Sequence, residues 1–170
     1  MRSKLAVVAI LAVALVLGTV TLAAGRSNGS SGANGAQTIN LFVLTVQDQF
    51  LDLGPQGLSL GDEDVFSDDL FTSKGGSKVG FDGGKCTAVR LDKASNMATF
   101  QCLVTVSLKG GQITIQGLIT FSGSEVGSTF TLAVTGGTGA YEGVSGQATI
   151  TETSQTEATV RLHLLKRNDS

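Results

Sequence analysis

The sequence predicts an all-β domain of about eight antiparallel strands. From Thr38 onward, apolar and polar residues alternate with a period of two, which places successive side chains on opposite faces of a strand. Glycines cluster between the apolar runs, and the single proline, Pro55, stands in one of these gaps, as is typical of turns between strands. Strands are predicted at 38–50, 63–71, 78–91, 97–109, 112–122, 128–135, 144–152 and 156–166. Strands with one polar face fit a closed barrel or a sandwich, and periodicity alone does not choose between them.

The N-terminal residues are predicted to be an export signal rather than part of the domain. Arg2 and Lys4 precede an unbroken apolar run over 5–17, and small residues follow at Ala23 and Ala24. The run is shorter than the roughly 20 apolar residues of a membrane span. Residues 1–24 are therefore interpreted as a cleavable secretory signal, with an uncleaved N-terminal anchor as the alternative.

Residues 25–37 are predicted to be a flexible linker, because they contain no apolar side chain larger than alanine. The domain then spans 38–170, and we expect it to be secreted and to have no membrane partner after cleavage of the signal. Removal of Arg2 and Lys4 changes the formal charge from −2 to −4. A mildly acidic domain without a basic stripe argues against a nucleic-acid partner, because phosphate binding is driven by clustered Lys and Arg.

A hairpin turn predicted at Gly110-Gly111 assigns the faces of two strands. Adjacent glycines suit a two-residue turn whose positions need positive φ. With both glycines in the turn, the expected opposite pairs are Leu108 with Ile113, Val106 with Ile115, Val104 with Gly117, Cys102 with Ile119, and Phe100 with Phe121. All of these lie on one apolar face, whereas the other face is polar except for Leu103 and Leu118. The apolar face is the predicted interior.

The two cysteines are predicted to form a disulfide on this inner face. Cys86 and Cys102 are equidistant from Ala94, which lies in the polar stretch 92–96. A hairpin that turns there places them directly opposite, at a separation that a disulfide can span. An oxidising compartment would permit the bond. A reactive thiol at Cys86 is the alternative.

The glycine-rich segment 136–143 is interpreted as structural. It lacks the Lys-Ser/Thr of a phosphate-binding loop, and no helix follows it. Its glycines are instead predicted to serve a turn with positive φ and close backbone approach. The glycines concerned are Gly136, Gly137, Gly139, Gly143 and Gly146.

His163, the only histidine, falls on the polar face of the last strand with no acidic or nucleophilic partner beside it, so we expect it to face solvent. The segment 61–69 carries five carboxylates without the spacing of a calcium loop. It is interpreted as a solvated rim, with the alternative that one acid points into a cavity and acts as a base. No His/Cys cluster is present, and neither a metal nor a cofactor is expected.

Four blocks of the sequence resemble the allene oxide cyclase and dirigent barrel superfamily. They are LGDEDVFSDDLF (60–71), KVGFDGGKC (78–86), GQITIQG (111–117) and AVTGGTGAYEGVSGQATI (133–150). The resemblance implies an eight-stranded antiparallel closed β-barrel, lipocalin-like, with a hydrophobic cavity. It also implies a homo-oligomer, either a dimer or a trimer. The superfamily's activities are cyclisation of an unstable epoxide, stereochemical guidance of radical coupling and, in some bacterial relatives, polyketide cyclisation.

The same resemblance assigns candidate site residues. Asp68 corresponds to a cavity asparagine of the cyclases and is the candidate catalytic residue, and Cys86 corresponds to a cavity cysteine. Thr45 stands near the position of the cyclases' first-strand glutamate, and Ile119 takes the place of their cavity tyrosine. The missing acid and tyrosine argue against allene oxide cyclase activity. The expected cavity-lining residues are Thr45, Phe100, Val104, Val106, Ile115, Ile119 and Phe121.

The predicted function is that of a dirigent-like or cyclase-like barrel that holds a small hydrophobic molecule in one conformation, without strong acid–base groups. The alternatives are a non-enzymatic, lipocalin-like carrier of an apolar metabolite and a structural oligomer. An Asp68 side chain in an open cavity favours catalysis, a lumen lined by aliphatics alone favours carriage, and a solid core disfavours both.

Overall fold

Eight antiparallel strands close into a barrel in which each strand pairs with the next and β8 pairs with β1. The computed structural model describes residues 35–122 and 126–166. The predicted signal, 1–24, and most of the predicted linker lie outside these residues. The strands are β1 (Ala36–Leu51), β2 (Glu63–Phe71), β3 (Lys78–Asp92), β4 (Met97–Leu108), β5 (Gly111–Phe121), β6 (Thr129–Gly137), β7 (Val144–Glu152) and β8 (Glu157–Lys166). The predicted all-β, eight-stranded closed barrel is confirmed, and every strand begins and ends within two residues of its expected bounds.

One end of the barrel is filled by side chains. Ile113, Leu162 and Leu164 are at most 1 % exposed, and Tyr141 of the 3₁₀ turn Gly139–Tyr141 packs against the same core. Inward residues alternate with outward ones along each strand, as a barrel requires.

No helix in the described part of the chain is long and apolar enough to cross a membrane.

The predicted register of β4 and β5 is wrong by two residues. Leu108 lies opposite Gly111, and the pairs that follow are Val106 with Ile113, Val104 with Ile115, Cys102 with Gly117, Phe100 with Ile119, and Ala98 with Phe121. Gly110 occupies the turn with a φ of 109°, but Gly111 belongs to the ladder. A Cβ at Gly111 would collide with the carbonyl oxygen of Thr138, so this glycine serves close packing rather than the turn. Because the shift is two residues, the predicted inner and outer faces are unchanged.

The predicted disulfide is confirmed, and a β-bulge makes it possible. The β3–β4 loop spans 93–96, between the pair Asp92 and Met97. Continued without a break, that register would place Cys86 opposite Leu103. The register shifts between Ala88 and Arg90, which brings Cys86 opposite Cys102, and their sulfur atoms are bonded.

The glycine-rich segment links β6 to β7 over the end of the β4–β5 hairpin. Gly139, Gly143 and Gly146 have φ values of 62°, 74° and 139°. The Ala140 N–H donates to the Gly110 carbonyl at 2.8 Å, and a Cβ at Gly139 would collide with that same oxygen. Gly137 and Gly146 also lie where a Cβ would collide with backbone oxygen, whereas a Cβ at Gly136 would make only an ordinary van der Waals contact.

Substituting Gly146→Ala should destabilise the barrel by about 2–4 kcal/mol, because the position combines positive φ with a Cβ collision against the His163 carbonyl. Gly136→Ala is the matched control, since its Cβ would meet only Thr114 Oγ1 at 3.7 Å. We expect the control to change the free energy of unfolding by less than about 1 kcal/mol in chemical denaturation. Equal losses in the two variants would contradict this account of the segment.

Candidate functional site

The half of the barrel opposite the filled end contains a cavity of about 470 Å³. Leu58 of the β1–β2 loop and Gln155 of the β7–β8 loop line its mouth. The sequence-predicted side chains that line it are Thr45, Asp68, Cys86, Phe100, Cys102, Val104, Val106, Ile115, Ile119 and Phe121. The structure therefore brings all of these together around one volume.

A β-bulge in β1 turns additional side chains into this cavity. Leu41, Val43 and Thr45 face inward in steps of two, and the register then shifts between Thr45 and Gln47. Because the bulge adds one residue, the inward positions beyond it are Asp48 and Phe50. A strict period of two would have placed Asp48 outside, so the bulge adds an acid to the wall.

The acidic segment of β2 and the preceding loop is not a uniform solvated rim. Asp64 and Asp68 line the cavity, whereas Glu63 and Asp69 face outward and form ion pairs with Lys85 and Lys78. Strand alternation sorts the acids onto two faces.

Asp62, the first acid of this segment, is fully buried and holds the β1–β2 loop. It accepts hydrogen bonds from the backbone N–H groups of Leu53, at 2.9 Å, and Ser59, at 2.7 Å. Burial alone would raise the pKa of Asp62, but these hydrogen bonds lower it overall. The carboxylate is thus a structural group of the mouth and lies outside the cavity lining.

Asp68 and Asp82 form a buried carboxyl pair deep in the cavity. They lie opposite each other on β2 and β3, and their exposed fractions are 7 % and 5 %. A hydrogen bond joins the two side chains, so one of them carries a proton. Within the described residues, Oδ1 of each has no hydrogen-bond partner. The pair therefore offers two unsatisfied oxygens to a ligand.

Burial is the largest influence on both acids. It raises the pKa of Asp82 to about 8, with the Asp68 charge acting in the same direction. Burial also raises the pKa of Asp68, but a hydrogen bond from the Thr45 side chain opposes this. Thr45 lies directly opposite Asp68 on β1, so it favours the ionised form of Asp68 and leaves the proton on Asp82.

The sequence reasoning missed Asp82. A signal was present, because Asp82 has the same parity along β3 as Cys86, which was placed on the inner face. The structure also modifies the expectation that the lumen lacks an acid: the position near the cyclases' glutamate is Thr45, but Asp82 supplies a buried carboxyl group on another strand.

The cavity wall is acidic and apolar. Its carboxylates are Asp48, Asp64, Asp68, Asp82 and Glu152, and no Lys, Arg or His is among the described side chains that line it. The rings of Phe100 and Phe121 stack in the wall, with centroids 5.1 Å apart and an interplanar angle of 10°. Such a wall favours ligands that combine an apolar, planar body with positive charge or hydrogen-bond donors.

His163 lies outside the cavity lining and is half-buried on β8. Its strand neighbours Leu162 and Leu164 are buried, so its side chain takes the outward position that the alternation predicts. In the ranges that the structure describes, no three His, Cys, Asp or Glu side chains are placed so that they could hold one metal ion.

The barrel should lose stability as the pH rises from about 5 to 9. Asp82 has a pKa of about 8 in the folded state, against an ordinary value of 3.8 for aspartate, so the folded protein binds more protons than the unfolded chain between these values. The stability associated with that proton is complete below the unfolded pKa and is lost as the pH rises through the folded pKa. Denaturation midpoints measured across this range should fall for the wild type and fall less for Asp82→Asn.

Asp92→Asn is the control for this measurement. Hydrogen bonds from Ser95 and Ala94 lower the pKa of Asp92, so its titration lies below the tested range. The control should reproduce the pH dependence of the wild type. A wild-type profile that is flat over this range would contradict the assignment of a buried, protonated Asp82.

Known proteins confirm the family to which this architecture belongs. The family model described as "Allene oxide cyclase barrel like domain" matches residues 42–164. A comparison with curated proteins found no match. Among solved structures, a pyocyanin demethylase is similar, with 32 % sequence identity and a TM-score of 0.64 over 75 % of this chain and 99 % of that one.

Two more distant structures share the fold. The Diels-Alderase AbmU from Streptomyces koyangensis has 12 % identity and a TM-score of 0.63, covering 82 % of this chain and 72 % of that one. The pterocarpan synthase dirigent protein PsPTS1 has 16 % identity and a TM-score of 0.58, covering 81 % of this chain and all of that one, 100 %. The closed eight-stranded barrel, the matched family model and the 32 % identity together establish that this chain belongs to the allene oxide cyclase barrel-like family.

Proposed function

We propose that this barrel is a small-molecule enzyme that binds a planar, cationic nitrogen heterocycle and moves a proton to or from it with the Asp68–Asp82 pair. Members of the family guide cyclisations or catalyse reactions of small molecules. The observation that carries the finer proposal is the proton-sharing carboxyl pair, buried in a cavity whose described lining contains no basic side chain.

The pair is suited to proton transfer because its two carboxyl groups differ. Asp82 retains a proton near neutral pH, and Asp68 receives a hydrogen bond from Thr45 that favours its ionised form. Two acids with separated proton affinities can supply a base and an acid at the same time. In this proposal Asp68 accepts a proton, Asp82 donates one, and Thr45 sets that direction.

The cavity walls are suited to a flat aromatic body. Val104, Val106 and Ile115 provide apolar contact, and the stacked Phe100 and Phe121 rings provide an aromatic wall. The carboxylates Asp48, Asp64 and Glu152 lie nearer the mouth, within four residues of the ends of their strands. They would attract a cation toward the cavity.

The similarity to a pyocyanin demethylase supports a planar nitrogen heterocycle as the ligand. Pyocyanin is an N-methylated phenazine, which is a planar fused-ring nitrogen heterocycle. At 32 % identity over 75 % of this chain, the similarity supports a related ligand chemistry for this cavity.

The predicted alternatives are less well supported. Asp68 does line an open cavity, which is the arrangement that favours catalysis over carriage. Burying carboxyl groups costs free energy that a carrier of a purely apolar metabolite would not recover. A purely structural oligomer would need no cavity of about 470 Å³.

Export and oligomerisation are part of the proposal. The disulfide is consistent with an extracellular location, as the predicted signal over 1–24 suggests. On the outside of the barrel, Val65, Leu103 and Leu118 are 40 %, 46 % and 61 % exposed. These apolar side chains lie on β2, β4 and β5 and favour contact with a second copy of the chain.

The ligand class is tested with N-methylphenazinium, a planar cation, and with neutral phenazine as a probe of the same shape. The cation should bind the wild type at least about tenfold more tightly, which corresponds to about 1.4 kcal/mol. The double substitution Asp68→Asn/Asp82→Asn should remove most of that preference, because it removes both the charge and the shared proton. Both substitutions are made together because Asp82 alone would ionise more readily once the Asp68 charge is gone. Calorimetry or absorbance titration measures the affinities.

Asp69→Asn is the matched control, since Asp69 neighbours Asp68 on β2 but faces outward toward Lys78. It should leave both affinities within about twofold of the wild type. Equal binding of the cation and neutral phenazine, or equal losses in the two variants, would exclude the proposed role of the pair. Failure of both probes to bind would exclude the ligand class.

A further inference from the structure

The disulfide occupies a position that structural stability alone does not require. Cys86 and Cys102 both line the cavity, on the wall that a ligand would contact. The strands that they join are already paired from Gly80 and Leu108 to Asp92 and Met97. A cross-link on the outer face of this hairpin would close a loop of similar length and give a similar entropic stabilisation.

The two sulfur atoms have unequal access to the cavity. Cys86 is half-buried, whereas Cys102 is 1 % exposed and belongs to the barrel core. Asp64, another cavity-lining residue, lies opposite Cys86 on β2. An accessible cysteine next to a resolving cysteine is an arrangement that redox-active pairs use.

The disulfide and the acid pair lie on the same wall. Asp82 and Cys86 both face inward on β3 with Gly84 between them, and four residues of strand span about 13 Å. A fused-ring ligand that contacts the acid pair therefore extends toward the sulfur atoms. Among the described side chains that line the cavity, the cystine is the group that can exchange two electrons.

We infer that Cys86 and Cys102 are a redox couple for the bound ligand: in the dithiol state they donate two electrons to an oxidised, cationic heterocycle and close to the disulfide. This inference rests on the proposed function in requiring that such a cation enter the cavity. The structure corresponds to the oxidised state of the couple.

The step balances without another co-reactant. The Cys86 thiol loses its proton, and the resulting thiolate attacks an electrophilic atom of the ligand ring and forms a covalent bond. The Cys102 thiol then loses its proton and attacks the Cys86 sulfur, so the S–S bond forms and the bond from sulfur to the ring breaks. The electron pair of that bond stays on the ring, which takes up one proton. With N-methylphenazinium, two thiols and one cation give one disulfide, one neutral dihydrophenazine and one released proton. An external low-molecular-weight thiol restores the dithiol by exchange through the accessible Cys86.

The test is anaerobic and uses the reduced wild-type protein, freed from its reductant, with N-methylphenazinium. We expect one equivalent of the probe to be reduced as two thiols disappear, at a rate at least about tenfold above that of dithiothreitol at the same thiol concentration. Cys102→Ser should stop after the first half of the step and accumulate an adduct on Cys86, which intact-mass spectrometry detects. The double variant Cys86→Ser/Cys102→Ser should not reduce the probe.

Binding of the probe to the oxidised wild type is measured separately, so failure of the redox step is distinguishable from failure of the proposed function. Tight binding combined with a rate equal to that of dithiothreitol would overturn the redox inference alone. Circular dichroism follows the reduced wild-type protein directly. If reduction unfolds the barrel, the disulfide is a structural cross-link and the inference is wrong.

Discussion

The pairing of β1 with β8 is the constraint on which the rest of the molecule depends, because it converts a twisted sheet into a closed surface with a fixed interior. In the closed barrel, every second side chain of each strand points into the interior. The register between the strands determines which of these side chains are neighbours. The interior is filled at one end by Ile113, Leu162 and Leu164 and left open at the other. The acid pair, the stacked rings and the disulfide all line one cavity because the adjacent strands β2 to β5 follow the same alternation around the same enclosed space.

The ladders of the described strands contain four register shifts, and two of them, in β1 and β3, position groups of the cavity wall. In β1, the register shift between Thr45 and Gln47 keeps Thr45 beside Asp68 and brings Asp48 and Phe50 inward. In β3, the register set by the β3–β4 loop would place Cys86 opposite Leu103. The shift between Ala88 and Arg90 changes that register by one residue and brings Cys86 opposite Cys102. A bulge leaves one residue unpaired in the ladder, so it carries a local cost. Here each bulge places cavity groups that an unbroken ladder would have turned outward or misaligned.

The fold and the apolar walls were predictable from the sequence, because alternation survives small errors in register. Phe100, Val104 and Ile115 lie in the cavity as predicted, although the predicted register of β4 and β5 was wrong by two residues. A shift of two residues leaves each side chain on the same face of the sheet. The exact partners were not predictable from Gly110-Gly111, because two adjacent glycines do not reveal which one makes the turn and which one allows Thr138 to approach. The bulge in β1 has no sequence signature of its own, so the inward position of Asp48 could not be predicted from the sequence. The inward position of Asp82 could be predicted, because Asp82 and Cys86 are an even number of residues apart on one strand. An interior expected to be apolar gave no reason to look for an acid there.

The protonation state of the acid pair depends on the apolar wall of the cavity. Asp82 keeps its proton near neutral pH chiefly because burial disfavours its charged form, and the surrounding side chains and its paired strand provide that burial. A more polar lumen would lower the pKa of Asp82 toward its ordinary value and leave two repelling carboxylates in place of a proton-sharing pair. The sequence predicted a cavity that works by its shape, without strong acid–base groups, whereas the structure combines that shape with a buried acid pair. The apolar side chains that shape the cavity also hold a carboxyl group in the protonated state that acid–base chemistry requires.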